Sequence, residues 1–176
     1  MCTRSRIGRV LLLVVAVSLA GAKVPAPARA AGVPPAADRM DPASISVTST
    51  TVTPSADAFV CEVWPNDNYG AVNALIVGYG ICPGSESGGE MRSLIKFDLS
   101  SIPSGHVIQS ASLQLRLSQY EGAGVSTVAL RRMRKDWSES TVTWAKADDV
   151  DPDRSTIGVG TKLGDYTWDA TVLVGQ

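Results

Sequence analysis

From Ser44 onward the apolar residues of this chain recur at every second position, and no stretch holds the 3.6-residue spacing of a helix. Side chains on a strand alternate between two faces, so this period restricts the fold to strands and turns. The cleanest case spans residues 107–118, where Leu113, Leu115 and Leu117 face one way and Gln114, Arg116 and Ser118 the other. Residues 46–53 are β-branched and alternating, and Pro54 is expected to end that strand. Further strands are expected over 56–63, from 75 to 77, over 91–99, over 125–133, over 141–144 and over 166–174. In the strand over 91–99, Ser93, Ile95 and Phe97 share one face, and Leu94, Lys96 and Asp98 the other. Between strands lie turn-forming stretches: Asn66-Asp67-Asn68-Tyr69-Gly70, Pro83-Gly84-Ser85, and Gly122-Ala123-Gly124. In the first of these, Gly70 is expected to supply a positive φ. Short strands with a turn every dozen residues or so predict an all-β fold, an antiparallel β-sandwich.

The amino terminus follows different rules. Arg4, Arg6 and Arg9 precede an apolar run from Val10 to Ala20 that is too short for a comfortable membrane span. Ala28-Arg29-Ala30 then offers the small-x-small pattern of a cleavage site, which predicts a signal peptide over 1–30 and a secreted product. Residues 31–43, rich in Ala and Pro, are expected to be a flexible linker, and 44–176 the folded module. The whole chain carries 16 basic and 17 acidic side chains; five basic and no acidic ones fall in 1–30, leaving 11 against 17, a net charge of −6. That balance argues against a general nucleic-acid binder, which needs a positive field to release counterions. No later apolar run is long enough to cross a membrane. Beyond Cys2, only Cys61 and Cys82 remain, an even pair in an oxidising compartment that points to a disulfide worth about 3 kcal/mol; the alternative is two buried free thiols.

Five segments in order carry a resemblance: Pro54 to Ala58, Asn68-Tyr69-Gly70, Ser93 to Pro103 (SLIKFDLSSIP), Ser110 to Leu115, and Trp137 to Trp144 (WSESTVTW). From about Val52 to its end the chain resembles the DNRLRE domain, which is related to the disaggregatase repeat and to carbohydrate-binding module family 96. The resemblance implies a jelly-roll-like β-sandwich in secreted bacterial or archaeal proteins. Such modules often accompany polysaccharide-acting enzymes, and some bind acidic polysaccharide such as alginate. Domains of this kind usually continue past a segment like 167–174, so an incomplete C-terminal end and further domains of a longer parent protein are expected.

No Gly-x-Ser-x-Gly elbow, His-Glu-x-x-His helix or phosphate-binding glycine loop is present, and the lone His106 sits at a turn, so no enzyme is predicted. Calcium takes several oxygens. Asp57, Asn66, Asp67 and Asp98 are the candidate ligands for a structural Ca2+ ion, against a plainer role for the turn residues in bonding their own backbone. The acidic stretch 148–153 is a second oxygen-rich candidate and reads as a loop. For sugar, Arg131, Arg132, Arg134 and Lys135 form the one dense basic run, with Arg116 outward on another strand and Tyr120 near a turn. Arg grips carboxylates bidentately, so this set suits uronate-containing polysaccharide. The competing reading is a solvated face that balances nearby acids. Trp137 and Trp144 are expected mainly in the core. The predicted function is a non-catalytic carbohydrate-binding module, with a structural or adhesive surface module as the alternative.

Overall fold

The computed structural model describes residues 9–10, 48–102 and 107–174. The expected linker, His106 and all of the expected signal peptide except Arg9 and Val10 lie outside the described residues. The elements are β1 (Arg9–Val10), β2 (Pro54–Cys61), β3 (Leu75–Ile76), β4 (Gly78–Ile81), β5 (Gly88–Phe97), β6 (Ser112–Leu117), β7 (Ser126–Met133), β8 (Val150–Val159), β9 (Gly164–Asp169), a 3-10 turn (Trp144–Lys146) and a one-turn helix α1 (Thr171–Val174). Every strand pair is antiparallel. One sheet runs β3-β1-β6-β9, a second β2-β5-β4, and β7 and β8 make a two-stranded ribbon. The fold is all-β, as expected.

The ribbon closes over the first sheet. Its apolar positions Val128, Leu130, Ile157 and Val159 pack on Leu113, Leu117 and Trp168 of β6 and β9. The Trp168 indole Nε1–H donates to the carbonyl of Val128 at 3.1 Å, which gives this large side chain its polar partner. The second sheet carries a packed cluster on each face. On one, Phe59, Cys61, Ile76, Cys82 and Met91 form a cluster that the Cys61–Cys82 disulfide crosses, with Cα atoms 6.2 Å apart. On the other, Ala58, Val60 and Leu94 are covered by Val142, Ala147, Trp137 and Trp144 from the segment 137–147. Gly78, at φ 138, opens β4 of the second sheet, two residues after β3 of the first sheet ends. Few residues with a Cβ adopt that backbone, so glycine marks the change of sheet.

Several strand expectations need correcting. Among the described residues 48–53 hold no strand; Pro54 opens β2 instead of ending its predecessor. β2 lies at a sheet edge, where the missing N–H of proline costs no ladder bond. Residues 141–144 are a turn, because the N–H groups of Thr141 and Val142 both donate to the carbonyl of Ser138. The apolar tail after Asp169 is helical: Asp169 Oδ1 accepts from the Thr171 N–H at 2.9 Å and from its hydroxyl, starting a helix in place of a longer strand. The acidic loop expected over 148–153 is partly strand, since β8 begins at Val150. Gly70 is not among the glycines with positive φ. It is glycine because a Cβ there would collide with the carbonyl oxygen of Glu139.

Candidate functional site

The basic run lies on the β7–β8 ribbon, and the register decides what each cation meets. Arg131 stands directly opposite Arg154, and the pairing shifts just beyond it, between Arg131 and Met133. Past that irregularity Asp151 takes two guanidiniums, Arg132 Nε at 2.6 Å and Arg134 Nε at 2.8 Å. Only 13 % of the Asp151 side chain is exposed. The hydrogen bonds from Arg134 and Arg132 pull its carboxyl below the usual carboxylate range, and the same bond raises Arg134. Lys135 pairs with Asp149 at 3.0 Å, which raises the lysine. The Arg131 guanidinium donates to the backbone carbonyl of Asp151 at 3.2 Å.

The other expected sugar contacts are placed apart. Arg116 pairs with Asp165 of β9 at 3.4 Å. It projects from the face of β6 opposite the leucines that meet the ribbon, so the fold does not bring it to Arg131. The hydroxyl of Tyr120 donates to the carbonyl of Gly124 at 2.9 Å and so closes its own turn.

The oxygen-rich residues are also dispersed. Asp98 Oδ1 accepts from the Ser100 N–H at 2.9 Å, which lowers its pKa. Asp57 is partly buried on β2, and desolvation raises its pKa. Asn66 and Asp67 lie in the turn after β2, beside the Asn68 that the turn uses structurally. The Asn68 amide donates to the carbonyls of Glu139 at 2.8 Å and Val142 at 2.7 Å, pinning the 137–147 segment to the second sheet. Among the described residues no three His, Cys, Asp or Glu side chains gather where they could hold a metal ion.

A model of one protein family, carbohydrate-binding module family 96, matches residues 48–176. The chain belongs to carbohydrate-binding module family 96. Modules of this family are non-catalytic, and the protein is not an enzyme. No curated protein and no solved structure matches it. The match begins six residues before β2 and takes in all three strand groups except β1.

Two surfaces of this family 96 module escaped the sequence reading. The first is an open groove lined by Ser55, Asn68, Ala71, Lys96, Asp136 and Trp137. Lys96 is held there by Asp136 and donates to the carbonyl of Trp137 at 3.1 Å. The second is the outer face of the second sheet, where the Arg92 guanidinium stacks over Trp144 at 4.2 Å. Neither was visible locally, since both join residues forty or more positions apart.

Proposed function

We propose that the protein is a secreted carbohydrate-binding module for acidic, uronate-containing polysaccharide, and that the β7–β8 ribbon holds the ligand. One observation carries this reading: Arg131 and Arg154 face each other across the ribbon, both exposed. Like charges directly opposite on a strand pair destabilise it, so an anionic partner relieves a cost built into the fold. Beside them, Arg132 and Arg134 both bind the carboxylate of Asp151, so guanidiniums are concentrated at this end of the ribbon. A uronate carboxylate fits the fork of an arginine, and a polyuronate repeats that group along its length. Net charge away from the ribbon is negative, so this end of the module is where a polyanion meets least repulsion.

Affinity electrophoresis of the full chain in gels containing alginate or polygalacturonate tests this. Retardation is expected, with a dissociation constant that rises with salt, and the Arg131→Ala, Arg154→Ala double variant is expected to bind at least about tenfold more weakly. Indifference of the folded protein to both polymers would overturn the uronate assignment and favour a structural or adhesive module.

A further inference from the structure

The most exposed aromatic ring of the described residues belongs to Tyr79, 70 % accessible on the edge strand β4. A lone exposed aromatic is ordinary, but the surroundings of this one are not. Tyr79 lies between Gly78 and Gly80 and reaches over Gly88 of β5, so that a Cβ at Gly88 would stand 3.5 Å from its Cε1. Glycines on an edge strand weaken it and leave the ring no neighbouring side chain on those positions. The ring is thus braced by backbone on one side and open on the other.

The register sets polar groups beside it. Tyr79 pairs with Glu90, so the two side chains leave the sheet on the same face. Glu90 is bound by Arg92 through two bonds, Nε to Oε1 at 2.8 Å and NH2 to Oε2 at 3.2 Å. Those bonds from Arg92 hold the Glu90 carboxyl below the usual range, so it is ionised at neutral pH. Trp144, stacked on Arg92, in turn fixes the guanidinium. Tyr79, Glu90, Arg92 and Trp144 form one strip on the outer face of the second sheet, remote in sequence from the arginines of β7.

We propose that this strip is a second glycan subsite, which takes a neutral pyranose unit with its C–H face on Tyr79 and its hydroxyls on the Glu90–Arg92 pair. A carboxylate beside the ring accepts hydroxyl protons and repels a uronate, while the guanidinium donates to ring and hydroxyl oxygens. The strip therefore selects the opposite charge class from the ribbon. The inference rests on the carbohydrate-binding reading and extends it to a second ligand class.

The test uses the full chain and isothermal titration with cellohexaose, xylohexaose and mannohexaose, with alginate binding measured alongside. At least one neutral oligosaccharide is expected to bind. Tyr79→Ala should weaken it by about tenfold or more, Tyr79→Trp should retain it, and alginate binding should be unchanged in both. Glu90→Gln should also weaken the neutral ligand. Because Tyr79 is exposed, its variants should melt as the parent does, which a thermal scan checks. Alginate binding without any neutral ligand, or neutral binding indifferent to Tyr79, overturns the subsite and leaves the ribbon assignment standing. Loss of binding to both classes overturns both.

Discussion

The second sheet and the β7–β8 ribbon solve the same problem, how to hold antiparallel strands together, by different means. β5 has partners on both edges and packing on both faces, with Phe59 and Met91 buried beneath and Leu94 covered above. The ribbon has two strands and one packed face, so its other face carries charge. A two-stranded unit is marginal on its own, and the ribbon depends on the Trp168 layer below it. The comparison shows where this fold can change. Phe59, Met91 and Leu94 of the second sheet answer to packing, and exposed positions on the outer ribbon answer to solvent or ligand.

The largest effect should come from Phe59→Ala. Phe59 is fully buried and stacks on Tyr69 with ring centroids 4.5 Å apart. Its loss should cost about 3–5 kcal/mol in denaturant unfolding, whereas Ala129, exposed on the ribbon, should accept Ser within about 0.5 kcal/mol. A similar response at both positions would erase the contrast. Next, reduction of Cys61–Cys82, a link across 21 residues, should cost about 3 kcal/mol, read as a lower melting temperature in reductant. Asn68→Ala follows, at about 1–3 kcal/mol, because two carbonyls lose their donor.

Two carboxylates then separate the regions by sign. Asp151 on the ribbon has a lowered pKa, so its contribution is complete above the unfolded value of about 3.9 and is lost as pH falls through the folded one. Asp57 on the second sheet has a raised pKa, so its charged form opposes folding at neutral pH and the penalty fades as pH falls through the folded value. Asp151→Asn should therefore lower the melting temperature at pH 7, and Asp57→Asn should raise it, with both differences vanishing in acid. The smallest effect is expected from calcium. Asp98 and Asn68 already spend their side chains on the protein, so chelator should shift the melting temperature by under about 2 °C.

Strands with strong alternation were legible, and the clearest, β6, shows why: Leu113 and Leu117 are buried and Arg116 is exposed. β8 was not, because Asp151, Pro152 and Asp153 resemble a loop, and only the register opposite β7 makes them strand. Thr141 to Trp144 has strand-like composition, yet a shared acceptor at Ser138 bends it. The basic run was visible as residues, but the acids that meet it come from positions fourteen to nineteen further on. Tyr79 left a faint signal, an aromatic between two glycines in a strand, whose meaning needed the neighbour at Glu90.

The role of Asn68 has a consequence for the ageing of this protein outside a cell. Hydrolysis of its amide to the acid changes one atom and almost no volume. The group that donated to two carbonyl oxygens becomes a carboxylate oxygen aimed at them. Attraction becomes repulsion at the point where the 137–147 segment is fastened, and that segment covers Leu94 and supplies Trp144 beneath Arg92. Spontaneous deamidation at this one position would loosen the cover of the second sheet from its outer side, leaving as its chemical trace a mass gain of about one dalton and one added negative charge.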